Sequence, residues 1–198
     1  MERLVPVTEN PSRTRRKLYR IADNFLAFWL TIIDRHRAEI ERGLGPSILP
    51  VLIDSLDDHM GGRWEEAFRS ALRRLANAGE LGPSVVAIGS FWNDGDNEID
   101  AVVLAGRGRV GTWLGEAKWS KQVTAHGLKA DLHRKAAALP SVAADLRLVL
   151  CAREQVIDPA PTTLTLTAAD IFGLPGDAKR LPAAPRSRSR TGGKFNAR

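Results

Sequence analysis

At 198 residues, with 43% hydrophobic and 26% charged side chains, the chain has the make-up of an ordinary globular protein with one substantial core. It holds no run of about 18 apolar residues to cross a bilayer, its start Met-Glu-Arg-Leu-Val-Pro lacks the layout of a secretory signal, and its one cysteine, Cys151, excludes an internal disulfide; a cytoplasmic protein without membrane association is expected. The net charge of +6 sits at the ends, since residues 179–198 hold seven Lys or Arg and no acid and residues 1–20 hold six bases against two acids, which leaves the body mildly acidic.

Residues 1–19, with Pro6, Pro11 and the basic run Arg13-Thr14-Arg15-Arg16-Lys17, read as an extended or hairpin-like lead-in. Helical periodicity follows. Tyr19, Ala22, Phe25, Leu26, Trp29, Ile32 and Ile33 share one stripe, and Gly43 stops the pattern. Such a stripe predicts packing, with Phe25, Phe28, Trp29 and Ile32 buried along with Phe68 and Leu72. After Gly45-Pro46, residues 48–60 read as a second amphipathic helix and residues 64–78 as a third, separated by Gly61-Gly62 and ended by Gly79. Residues 85–92 are strand-like and Asn93-Asp94-Gly95-Asp96-Asn97 is a turn signal. Strands over 99–104 and 110–119 are joined by Ala105-Gly106-Arg107-Gly108-Arg109 as a hairpin. Residues 124–139 form a helix closed by Pro140, 146–152 a short buried strand and 164–167 a last strand, and the tail from Lys179 is expected to be disordered.

This order predicts an α/β fold, a mixed sheet flanked by helices, in which the last strands run parallel to a neighbour after the helical crossover. The units are a lead-in over 1–19, a helical portion over 20–60, a core over 61–178 and a basic tail over 179–198.

Charges are scarce in buried strands, and the hairpin carries three. Alternation sets Glu116 and Lys118 on one face with Leu114, and Trp113, Gly115, Ala117 and Trp119 on the other. Asp100 shares its face with Val102 and Leu104; a register that sets it opposite Glu116 brings two carboxylates and one lysine together. Two carboxylates suit Mg²⁺ or Mn²⁺, and a lysine beside them can orient or help deprotonate a water, which is the chemistry of phosphodiester hydrolysis. The competing reading is a solvated Glu116–Lys118 pair. Gly106-Arg107-Gly108-Arg109-Val110-Gly111 has dinucleotide-loop spacing but joins two strands, so a hairpin turn is expected. The stretch from Asp94 has Ile99 where a calcium loop needs glycine. His36, His59, His126 and His133 lack zinc spacing. Lys118, Lys121, Lys129, Arg134 and Lys135 form a candidate basic patch for DNA phosphates.

Glu65, Asp100 and Glu116-Ala117-Lys118, on a helix and two adjacent strands, resemble the PD-(D/E)XK nuclease superfamily, whose α-β-β-β-α-β core has the order read over residues 64–151. The resemblance implies Glu65 as auxiliary acid, Asp100 and Glu116 as metal ligands and Lys118 as catalytic lysine, with Glu98-Ile99-Asp100 replacing Pro-Asp. Leu4-Val5-Pro6-Val7-Thr8-Glu9, residues 18–29 and Gly115-Glu116-Ala117-Lys118-Trp119 resemble the C-terminal part of prokaryotic P-loop ATPases that carry a C-terminal domain of unknown function. That resemblance places Met1 within the wing of a winged helix and implies an ATPase as partner; no Gly-x-x-x-x-Gly-Lys-Ser/Thr segment exists in the chain, so no ATPase activity is expected of it. Two classes of function fit: a metal-dependent, DNA-directed nuclease or its DNA-binding remnant, and a non-catalytic interaction module on the same scaffold.

Overall fold

The structure, a computed structural model, describes residues 1–93, 95 and 97–173. The basic tail, and Asp94 and Asp96 of the turn signal over residues 93–97, lie outside the described residues. The lead-in is a hairpin, as expected: β1 (Glu2–Leu4) pairs antiparallel with β2 (Leu18–Arg20), which takes Tyr19 out of the expected helical stripe, and the helix begins only at Asn24. Val7 donates its N–H to the Ser90 carbonyl at 2.9 Å and accepts from Arg109 at 2.7 Å, which ties this segment to the edge of the main sheet.

Asp23 caps α1 (Asn24–Phe28) by accepting the Leu26 N–H at 2.7 Å. The helix widens into a π-turn over Trp29–Ile33, tightens to a 3-10 turn over Asp34–His36 and continues as α2 (Arg37–Glu41). Of the four residues of this segment expected to be buried, two are exposed, and Tyr19, Ala22 and Leu26 of the same stripe are exposed as well. Ile32 is enclosed and Phe28 half-buried, but Phe25 is 69% and Trp29 40% exposed. The π-turn changes the helical phase, so the face that packs is not the one a uniform 3.6-residue period selects. That face meets the next helix around His59, where Thr31 Oγ1 lies 3.1 Å from Nδ1 and the Phe28 ring meets the imidazole edge-on.

The two helices expected over 48–60 and 64–78 are one, α3 (Gly45–Asn77), 33 residues long. Each of Gly61 and Gly62 costs about 1 kcal/mol against alanine. Enclosure of Trp64, Phe68 and Leu72 outweighs that and carries the helix through. Pro46 lies in the first turn, and the bond that Pro50 cannot make would have gone to the carbonyl of that first-turn proline.

The main sheet runs β3 (Val85–Trp92), β4 (Glu98–Ala105), β5 (Val110–Ala117), β7 (Val142–Cys151), β9 (Thr163–Leu166). The first three strands are antiparallel neighbours; β7 joins β5 in parallel, as the crossover through α4 (Ala125–Ala136) requires, and β9 joins β7 in parallel after a connection that holds a short strand and no helix. Three short elements escaped the sequence reading: β6 (Gln122–Thr124), its parallel partner β8 (Gln155–Ile157), and α5 (Ala168–Phe172) with its Thr167–Asp170 capping box. Elements of three to five residues carry too few positions to show a period. Trp64, Phe68, Leu72, Ala101, Val103 and Trp113 fill the layer between the sheet and α3. Val102, Leu104, Leu114, Leu132 and Leu150 fill the layer under α4. Among the described residues no helix is long and apolar enough to cross a membrane.

Candidate active site

The β4–β5 register pairs Val102 with Leu114 and Ala101 with Gly115, so the next position outward sets Asp100 opposite Glu116. The ladder ends there. The Ala117 N–H is taken by Asp100 Oδ2 at 2.8 Å, and the Lys118 N–H crosses to the Cys151 carbonyl at 2.9 Å. Simple alternation does not describe Asp100. Ile99 and Val102 both lie in the α4-side layer although they are three residues apart, because the β3–β4 pairing slips by one between Gly89–Val102 and Phe91–Ile99. The bulge releases Asp100 from the face of Val102 and Leu104 and lets its carboxylate reach along the sheet to β5.

Glu116 does follow the alternation, on the α4 side with Leu114, and is only 4% exposed. Lys118 Nζ, half exposed, donates to Glu116 Oε1 at 2.6 Å. Oε2 is buried without a hydrogen bond, and Lys135 Nζ stands 3.6 Å from it, beyond bonding reach.

Glu65 reaches the same place from α3 because Gly115 has no side chain. A Cβ at Gly115 would lie 2.7 Å from Phe68 Cζ and 2.9 Å from Val149 Cγ1, so the glycine lets the helix settle onto β5. Arg69, buried, donates to the Asp100 carbonyl at 2.8 Å and pairs with Glu65 at 3.5 Å and Glu66 at 3.1 Å. One guanidinium thus ties α3 to the start of β4.

The electrostatics bring all four residues foreseen for the site into one group. Burial, then the charges of Glu116 and Glu65, push the Asp100 carboxyl up to about 7, against the opposing Ala117 N–H and Lys118. Burial also raises Glu65, with Glu98 adding to it and Arg69 and Lys118 opposing. Burial pulls Lys118 down, but its bond to Glu116 and the charges of Glu116, Asp100 and Glu65 outweigh that and raise it. Lys118 is therefore held as an ammonium, suited to donating rather than to taking a proton.

Arg69 and Lys135 were missed as site residues. Their helical pairs, Glu65–Arg69 and Asp131–Lys135, are visible as i,i+4 spacings, but such pairs ordinarily face solvent. The proposed basic patch loses Lys135 to the interior, while Arg134 is engaged with Asp131 and Asn97. Gly106 (φ 67°) sits in the hairpin turn as expected. Burial pushes the Cys151 thiol up, which fits an inert core residue.

Among the described residues no three His, Cys, Asp or Glu side chains gather as a ligand set. A divalent cation here would rest on Asp100 and Glu116, with water and substrate oxygens completing its shell. The unbonded, buried Glu116 Oε2 fits that role.

The model of the DUF234 family, described as archaea bacterial proteins of unknown function, matches residues 29–131, just over half of the chain. The chain belongs to that family. The matched DUF234 segment contains Glu65, Asp100, Glu116 and Lys118, and ends before Lys135. A relative, an uncharacterized protein of Methanocaldococcus jannaschii, is 28% identical over 137 residues, 68% of this chain and 30% of the relative. The chain thus spans less than a third of that relative's length. No solved structure matches it.

Proposed function

We propose that this DUF234 chain is a Mg²⁺- or Mn²⁺-dependent nuclease of the PD-(D/E)XK kind that hydrolyses phosphodiester bonds in DNA. One observation carries the reading: Asp100 and Glu116, both nearly buried, meet at the end of the β4–β5 ladder, with Lys118 on one Glu116 oxygen and the other unbonded. An ordinary surface pair does not bury two like charges side by side. The order of α3, β3, β4, β5, α4 and β7 supports the same core.

Asp100 and Glu116 would hold the cation, which when bound acidifies water and offsets charge on a phosphodiester. Lys118, charged and half exposed, would donate to the attacking water or to a phosphate oxygen. Glu65, fixed by Arg69, would act as the auxiliary acid. Cleavage of plasmid and single-stranded DNA with Mg²⁺ or Mn²⁺ tests this: Asp100→Ala should lose both cleavage and metal binding, and Lys118→Ala should lose cleavage without weakening Mn²⁺ binding. Equal cleavage by wild type and Asp100→Ala would sink the reading.

The second reading, a non-catalytic interaction module, draws on the exposed Phe25, Leu26, Trp29 and Leu30. These would meet a protein partner, for which the sequence resemblance suggests an ATPase. Absence of cleavage with any metal, together with loss of a partner complex on Trp29→Asp, would favour it.

A further inference from the structure

Lys135 has no part in the chemistry proposed above. It stands in the last turn of α4, on the face that packs against the sheet, beside buried Leu132 and Ala136, and is itself 9% exposed. An apolar residue would pack there without the loss of hydration that an ammonium suffers. The distances rank its partners: Asp131 Oδ2, one turn earlier, lies 2.7 Å from Nζ, and Glu116 Oε2 lies 3.6 Å away. Asp131 is in turn held by Arg134 on Oδ1 at 2.7 Å. Lys135 is thus bonded to one carboxylate and merely attracted to the other, whose facing oxygen has no hydrogen bond.

We infer that Lys135 is a placeholder cation, a positioning residue for the metal site. In the metal-free protein its charge offsets Glu116 Oε2. When a divalent cation takes that oxygen, Lys135 remains neutralised by Asp131, to which it is already bonded, so no buried charge is stranded. The inference rests on reading Asp100 and Glu116 as cation ligands. Its two halves have opposite consequences. Without Lys135 a competing positive charge is gone and the ion binds more tightly. Without the charge of Asp131 the lysine leans on Glu116 and the ion binds more weakly. A merely structural role would weaken binding in both.

The test is the Mn²⁺ affinity of the full chain by titration calorimetry, checked against the electron paramagnetic resonance signal of free Mn²⁺. Lys135→Met should tighten binding roughly tenfold, Asp131→Asn should weaken it roughly tenfold, and Lys135→Arg should stay within about twofold of wild type. Weaker binding in both Lys135→Met and Asp131→Asn, or no change in either, overturns the inference and makes Lys135 a packing residue. Should Lys135→Met not fold, Asp131→Asn is compared with the charge-keeping Asp131→Glu, and equal affinities overturn it. Failure of wild type itself to bind Mn²⁺ overturns the metal-site reading as well, and differs from the other outcomes because the unsubstituted protein is then the silent one.

Discussion

The two halves of helix α3 both carry regularly spaced apolar residues and meet different surroundings. In the second half Trp64, Phe68, Ala71 and Leu72 are enclosed against the sheet; in the first half Leu49, Val51, Ile53 and Leu56 are exposed, as are Phe25, Leu26, Trp29 and Leu30 of the helical segment packed beside it. The difference teaches what periodicity reports. It marks a face suited to burial, and says nothing of whether the covering surface belongs to the same chain.

The sharpest way to break that comparison is to truncate one aromatic from the enclosed half and one from the exposed segment, residues 24–33, that packs beside the other half. Phe68→Ala, in the fully enclosed layer and against Gly115, should cost about 3–5 kcal/mol in denaturant unfolding. Trp29→Ala should cost less than about 1 kcal/mol. Equal costs would mean that the segment around Trp29 is covered in solution.

A smaller effect, dependent on pH, comes from the site that the buried half supports. Because the Asp100 carboxyl is raised from 3.8 to about 7 on folding, the native state binds more protons than the unfolded chain between those values. Stability of the metal-free protein should therefore fall as pH rises through that window, by up to about 4 kcal/mol. Thermal melts in chelator from pH 5 to 8 should show the fall in wild type and its loss in Asp100→Asn; identical pH profiles would remove the carboxylate from the buried group. Next comes Gly115→Ala, which drives a methyl into Phe68 and Val149. It should cost about 1–3 kcal/mol and weaken Mn²⁺ binding, because α3 is pushed away from β5. The smallest expected effect is on the exposed segment beside α3: Phe25→Ser should leave the melting temperature within about 2 °C and lower the tendency to self-associate.

Much of the fold was legible where residues act locally. Runs of Val, Ile and Trp bounded by Gly and Asn located β3 at its observed bounds and β4 and β5 within two residues. The parallel joining of β7 to β5 followed from the intervening helix, whereas β9 pairs parallel to β7 across a connection without one. The continuity of α3 was not legible, because Gly61-Gly62 is a break in isolation and only enclosure of the following turns decides otherwise. At the site, Glu116 and Lys118 were readable from strand alternation. Asp100 was placed opposite Glu116 by register but for a face it does not hold, since the bulge depends on how β3 pairs with β4. Arg69 and Lys135 were out of reach of such reasoning: the same spacing describes a solvated pair and a buried one, and packing alone tells them apart.

The single length of α3 has a mechanical consequence. A helix of 33 residues is about 50 Å long, and this one reaches from the exposed segment to Glu65 without a loop to absorb strain. A load applied near Leu49 therefore arrives at Glu65 as bending. Gly61-Gly62, where a Cβ would meet nothing within 4 Å, lies on the way, one turn ahead of that carboxylate, and is a place where such a helix can bend. Whatever seizes the far end has purchase on the angle at which Glu65 approaches Asp100.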